Sequence, residues 1–423
     1  MTRGPITASP ARNALLAAWG LFAALTLLMM GNGLVGVLIG VRSELEGFNT
    51  TVTGFVMASY FAGFLAGSQI TPHIMARVGH IRVFAGLSSL VAATALMHAL
   101  VVSPITWVLL RLVFGFAMAG LYVVVESWLN DMVSNANRGR VMAIYMVVSM
   151  GGLAVGQLLI GFGDALAPTL FIVAGAVMAL AVTPISLSIN DAPFFELPPR
   201  ARHRDLWKAA PLGVVTSVGA GVANGALIAM AGVYATQVGL SGGRIGAFVA
   251  AAALGSVALQ WPIGHLSDRI GRRRSIILVT FGAVAVGAVA TALSTEGWGL
   301  IGAMFLLGGL SYPMYSLALS HVVDVLPPGQ AVTGSVAVVF LTGVGSIFGP
   351  LSASVAMDAL GPDGFFWAIA VVHLAIGIYG LATIARRPVI DETREPWLAV
   401  PARSTFVLRR NPRRYRRNPG NWD

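Results

Sequence analysis

The sequence predicts an all-α membrane protein with 12 transmembrane helices, arranged as two pseudo-symmetric six-helix bundles. Three observations predict it. Hydrophobic residues make up 56% of the 423-residue chain and charged residues only 10%, with a mean hydropathy of +0.79. A soluble domain carries about 25% charged residues, so the solvent this chain can face is lipid. Its apolar runs are continuous and reach the ~20 residues a spanning helix needs, without the alternation of a β-barrel. The second half also repeats features of the first at a nearly constant offset.

In chain order, residues 1–13 form an N-terminal tail. Its sequence, MTRGPITASPARN, lacks the apolar core and cleavage site of a secretory signal, so the first apolar run is expected to be retained. The N-terminal bundle, 14–188, contains runs at 14–41, 50–72, 82–102, 104–129, 139–163 and 165–188. A polar stretch, INDAPFFELPPRARHRDLWKAA at 189–210, is a linker. The C-terminal bundle, 211–385, contains runs at 211–238, 243–266, 274–294, 297–322, 330–357 and 364–385, and a basic tail follows at 386–423.

The positive charges set the orientation. Of the 27 lysines and arginines, all but Arg42, Arg111 and Arg244 fall in the two tails, the linker, or the loops after runs two, four and eight. The positive-inside rule places all of these in the cytoplasm, together with both termini. The net charge of +10 is thereby accounted for by topology, and no nucleic-acid partner is expected. The absence of cysteine excludes disulfides, thiolate metal sites and cysteine nucleophiles. No nucleotide loop, nucleophile constellation or metal-ligand spacing is present, so neither an enzyme nor a cofactor is expected.

An offset of 192 residues carries Asn32-Gly33 onto Asn224-Gly225, and Arg77, Gly79 and Arg82 onto Arg269, Gly271 and Arg274. An offset of 193 carries Gly115, Tyr122, Ser127 and Asp131 onto Gly308, Tyr315, Ser320 and Asp324. Halves repeated about an axis along the membrane normal place a site at their interface, near mid-membrane.

The stretch Gly264-His265-Leu266-Ser267-Asp268-Arg269-Ile270-Gly271-Arg272-Arg273-Arg274 between runs eight and nine resembles the signature loop of the major facilitator superfamily, and the likeness extends over 14–385. The first-half copy keeps Arg77-Val78-Gly79 but has Ala76 where the family usually has aspartate. Arg111-Leu112-Val113-Phe114-Gly115 is similar to the family's R-x-x-x-G motif on helix four, which many members link to proton coupling. Helix five lacks the glycine-proline antiporter motif, having Gly156-Gln157, while Gly349-Pro350 occurs in helix eleven. Glu126-Ser127-Trp128-Leu129-Asn130 resembles the YcaD-like branch of the family.

Arg111 is the sharpest candidate. A charge deep in a spanning helix costs about 2.5–3.5 kcal/mol or more, so such a residue faces a cavity or a partner. It binds an anionic substrate group or tunes a proton site, or else it bonds carbonyls of neighbouring helices. Snorkelling is hard from a position roughly 10 Å below the expected helix end. Glu126 is about 22 Å from Arg111 along one helix, too far for an ion pair. Near the expected cytoplasmic end, it is within plausible reach of the loop carrying Arg77, and the resemblance implies a gating contact there. A proton-carrying role is the alternative. Asn32 and Asn224 are costly to bury unpaired: they contact substrate, or they bond across helices while Gly33 and Gly225 permit close packing. Tyr60, Tyr122, Gln157, Gln260 and Tyr315 are further cavity candidates, whereas His98 and His373 fall on helices peripheral in this fold and read as structural. The resemblance implies gating roles for Arg77, Gly79, Arg82, Gly264, Asp268, Arg269, Gly271 and Arg272.

The expected function is secondary active, proton-coupled transport of a small polar or anionic solute by alternating access. The expected setting is a bacterial inner membrane, and the chain is expected to be a monomer. A multidrug-type efflux pump and a non-transporting sensor with the same fold are the alternatives. The tail cluster from Arg409 to Arg417 is expected to contact anionic lipid, worth about 1 kcal/mol per basic residue.

Overall fold

A computed structural model describes residues 19–132, 138–187, 203–327 and 330–386. The basic tail, the N-terminal tail and most of the linker lie outside the described residues. Apolar runs in lipid must satisfy their backbone groups internally, and helices do so. The described residues contain 12 helices long and apolar enough to cross a membrane. The first half supplies α1 (Trp19–Leu45), α2 (Thr50–Val78), α3 (His80–Leu100), α4 (Pro104–Met132), α5 (Arg138–Leu158) and α6 (Thr169–Leu180, resumed at Val182–Ser186). A short linker helix, His203–Ala209, precedes the second half. There follow α7 (Pro211–Gln237), α8 (Gly242–Ile270), α9 (Arg272–Ala290), α10 (Gly299–Ser311, resumed at Pro313–Val325), α11 (Ala331–Leu360) and α12 (Gly364–Arg386).

The apolar run expected at 297–322 is interrupted within α10. Pro313 has no N–H to donate and its ring crowds the carbonyl one turn back, so the helix restarts there. At the end of α5 the chain tightens into a 3-10 turn, Leu159–Phe162.

The internal repeat is closer in the backbone than in the side chains. Helices α1 and α7 both have 27 residues, and α2 and α8 both have 29. Left-handed glycines recur at matched corners: Gly47 (φ 76°) with Gly239 (φ 74°), and Gly79 (φ 89°) with Gly271 (φ 94°). This conformation, open to glycine at no steric cost, lets α3 and α9 begin immediately after α2 and α8 end.

Within each half, glycines notch one helix against the backbone of another. A Cβ at Gly156 of α5 would stand 2.0 Å from the Met30 carbonyl oxygen of α1, and one at Gly63 of α2 would stand 1.9 Å from that of Leu112 in α4. In the second half, a Cβ at Gly345 of α11 would meet the Val218 carbonyl oxygen of α7 at 2.1 Å, and one at Gly255 of α8 would meet that of Phe305 in α10 at 1.8 Å. Small residues of this kind drive helix association in lipid, where burial of apolar surface cannot.

The halves meet along α2 with α11, α5 with α8, and α1 with α7. One end of the bundle carries the loops after α2, α4 and α8 and is rich in arginine; the other is poor in it. At the arginine-poor end hydrogen bonds cross between the halves. Gln237 Nε2 of α7 donates to Glu44 Oε2 and to Thr50 Oγ1, each at 3.1 Å. Thr51 of α2 donates to Asp358 of α11. This end is shut.

Candidate functional site

The Arg111 motif builds its own setting. Gly115, one turn after Arg111, has its missing Cβ 2.0 Å from the carbonyl oxygen of Tyr60. Only glycine allows α4 to lie that close to α2. The close approach sets the Arg111 guanidinium 4.5 Å from the Tyr60 ring centroid and 5.7 Å from that of Phe114. A cation over an aromatic face is held by the ring quadrupole, more strongly when desolvated, and Arg111 is only 3% exposed. The Tyr60 ring is itself fixed against Phe61, Phe64 and Phe114 at 5.2, 6.0 and 6.1 Å.

The Asn-Gly pair of α1 acts similarly. A Cβ on Gly33 would stand 2.2 Å from the Leu153 carbonyl oxygen of α5, so α1 and α5 touch and Asn32 comes to the same cavity as Gln157. Asn32, Tyr60, Arg111 and Gln157 line that cavity from α1, α2, α4 and α5, and Ile228 and Ala229 of α7 close it from the second half. It has room for about one water. Asn32 Nδ2 and Gln157 Oε1 are buried and make no hydrogen bond within the protein. Such groups are costly in a lipid-enclosed interior.

The other central candidates lie elsewhere. Asn224 is buried one helical turn from Ile228, and neither polar atom of its side chain makes a hydrogen bond. Tyr122 donates to the sulfur of Met29 at 2.9 Å. Gln260 donates to Ser316 Oγ at 3.1 Å, tying α8 to α10. Tyr315 is buried in an apolar cluster with Leu319, Val322 and Val338. His98 and His373 are both buried: the first meets the Thr94 carbonyl at 2.6 Å and the second Ser311 Oγ at 2.8 Å.

At the arginine-rich end the second half holds a charged latch. Arg272, 1% exposed, reaches Asp268 at 2.5 Å, Ser267 Oγ at 2.9 Å and Asp324 at 3.1 Å. Gly271 turns the corner that presents it, Gly264 is buried in α8, and Arg269 is exposed. The first half is built differently. Arg77 and Arg82 are exposed beside Gly79, and the position matching Arg272 is His80. The His80 ring is buried, 3.1 Å from Ser127 Oγ and edge-on to Trp128. Glu126 is 4% exposed and accepts from the Tyr145 hydroxyl at 2.5 Å. Among the described residues no ion pair joins Arg77 to Glu126: Tyr145 of α5 donates to the carboxylate, and Arg77 is exposed.

Two features escaped sequence reasoning. His80 could have been found by carrying the 192-residue offset back from Arg272. The hydrogen bonds of Glu44, Gln237, Thr50, Thr51 and Asp358 had no signal, because single polar residues at helix ends are common.

The model of the Major Facilitator Superfamily matches residues 21–216 and 212–419. The uncharacterized MFS-type transporter YcaD of Escherichia fergusonii is 28% identical over 358 residues, covering 83% of this chain and 92% of that protein. The same protein from an Escherichia coli strain is 28% identical over 365 residues, with the same coverage. Among solved structures, the nucleoside transporter NupG superposes with a TM-score of 0.72 at 14% identity, covering 88% of this chain and 99% of that one. A bacterial homolog of the human lysosomal transporter Spinster, in its inward-facing occupied conformation, gives 0.68 at 17% identity, over 90% and 100%.

Proposed function

The chain belongs to the Major Facilitator Superfamily and is a non-enzymatic membrane transporter, and we propose that it moves a small polar or anionic solute by proton-coupled alternating access. The observation that carries this reading is the buried Arg111 guanidinium against Tyr60, in a small cavity that both halves line. A guanidinium presents a rigid fork of donors suited to a carboxylate or a phosphate. Asn32 and Gln157 add an amide donor and an amide acceptor within the same walls. With space for about one water, the cavity admits solute only after the halves rock apart.

In this reading the arginine-rich end faces the cytoplasm of a bacterial cell. The Arg272 latch and the cluster of Glu126 with Tyr145 belong to the inner gate, and the hydrogen bonds around Gln237 belong to the outer one.

The test is ligand-induced thermal stabilisation of the purified protein across a panel of organic acids, amino acids, nucleosides, sugars and drugs. A binder present at 100 times its Kd stabilises by about 2.7 kcal/mol. An anionic or polar hit that Arg111→Ala loses and Arg111→Lys weakens supports the reading. A hit that survives unchanged in Arg111→Ala, with that variant folded, removes Arg111 from the substrate site.

A further inference from the structure

The shut, arginine-poor end points to a proton site that the central cavity does not include. Glu44 lies in the last turn of α1, and its Oε2 accepts from Gln237 Nε2 across the interface between the halves. The same amide nitrogen reaches Thr50 Oγ1, so one side chain of α7 ties both α1 and α2. Glu44 Oε1, by contrast, is buried and makes no hydrogen bond. A carboxylate in this position holds a full charge against one neutral amide, with its second oxygen unmatched, and both features disfavour burial.

The neighbouring charges do not relieve it. On α1 itself, the Arg42 guanidinium turns away: it pairs with Glu46 at 3.1 Å, reaches the Ala167 carbonyl at 3.4 Å and lies 5.8 Å from the Phe171 ring centroid. From α11, Asp358 adds a second negative charge felt by Glu44, and its own partner is the neutral Thr51. The α7 and α2 side chains bonded to Glu44 or to its amide partner, Gln237 and Thr50, carry no charge. One proton on Oε1 removes the buried charge and leaves the Gln237 bond on Oε2 intact.

The geometry points to Glu44 as a proton-operated latch of this gate: protonated, it lets α1, α2 and α7 close together, and on losing its proton to water it favours their separation. The only covalent change is that one O–H bond, and separation also breaks the Gln237 hydrogen bonds to Glu44 and Thr50. The inference rests on the alternating-access reading and gives one coupling proton of that cycle an address. If the arginine-poor end faces outward, protons arriving from outside shut the gate behind the solute.

The native chain has no cysteine, so spin labels can be placed without background. A Val102→Cys/Ala292→Cys pair reports the arginine-poor end, and an Ala76→Cys/Gln330→Cys pair reports the other; all four positions are exposed. Distances are measured by double electron–electron resonance in lipid nanodiscs from low to high pH. In the parent, the long-distance population of the first pair is expected to grow as pH rises while the second pair shortens. Glu44→Gln, which mimics the protonated acid, loses this response and stays short. Asp358→Asn keeps the response, and Gln237→Leu raises the open population at every pH. A Glu44→Gln response equal to the parent's overturns the latch. Pairs that move reciprocally with temperature but ignore pH also overturn it and leave alternating access standing. Pairs that move at neither end overturn both.

Discussion

Replacing Gly115 with alanine tests whether the Arg111 site is a product of backbone packing. The added Cβ would lie 2.0 Å from the Tyr60 carbonyl oxygen, 2.8 Å from its carbonyl carbon and 3.0 Å from its Cα. Side-chain Cβ atoms essentially never approach another heavy atom within 3.0 Å, so α2 and α4 must part by at least about 1 Å. Backbone cannot step aside as a flexible side chain can. Overpacking of this kind costs typically 1–3 kcal/mol. At about 2–4 °C per kcal/mol for a body of 150–250 residues, roughly the size of one half, a mid-range cost of ~2 kcal/mol lowers the unfolding temperature by about 4–8 °C. The same shift carries Tyr60 away from its 4.5 Å seat under the guanidinium. The assay is thermal unfolding of the purified protein, with and without whichever panel compound stabilises the parent. Gly86→Ala, on α3 and outside the cavity, is the control, since a Cβ there meets nothing within 4 Å. If Gly115→Ala unfolds with the parent and keeps its ligand response, the account of the motif as a notch that seats Tyr60 beneath Arg111 is wrong.

Other outcomes follow from the same contacts. Arg272→Ala removes a charged donor from the buried Asp324 carboxylate and is expected to destabilise by about 1.5–3 kcal/mol, while the double variant Arg272→Ala/Asp324→Ala recovers part of the loss in thermal unfolding. Additive single effects would show that the pair is not coupled. Tyr145→Phe removes a donor from the buried Glu126 carboxylate and is expected to cost about 1.5–3 kcal/mol; in a Glu126→Gln background the same change should cost less, measured by denaturant or heat. The Arg111→Ala ligand panel and the Glu44→Gln distance series bear on the transport reading and on the gate respectively.

The fold was legible because lipid leaves the chain few options. Continuous apolar runs can only be helices, and the offset between Asn32 and Asn224 survives as equal helix lengths and matched left-handed glycines. The interruption at Tyr312 was not legible, because Pro72, Pro262 and Pro350 lie inside continuous helices and a proline alone does not mark which helix restarts. The cavity was legible in part. Arg111 declares itself by the expense of burying a charge, and Asn32 and Gln157 by that of burying an amide. Yet the same logic named Gln260, which bonds Ser316, and Tyr122, which bonds a thioether. Sequence marks which polar groups need a partner and leaves open whether that partner is solute or a neighbouring helix. Glu44 shows the converse: its importance arises only when Gln237, 193 positions along the chain, is brought against it.

The unequal corners at Gly79 and Gly271 carry one more consequence. A molecule that holds two copies of the same joint can let one wear differently from the other. The second copy has a guanidinium gripped by two acids, while the first has an imidazole beside a hydroxyl and an indole, with Ala76 at the position of Asp268. The second copy is thus a spare-parts drawing for the first. Grafting its residues across, Ala76→Asp with His80→Arg, would make the two corners chemically alike, and under the proposed alternating-access reading the two halves would then let go on equal terms.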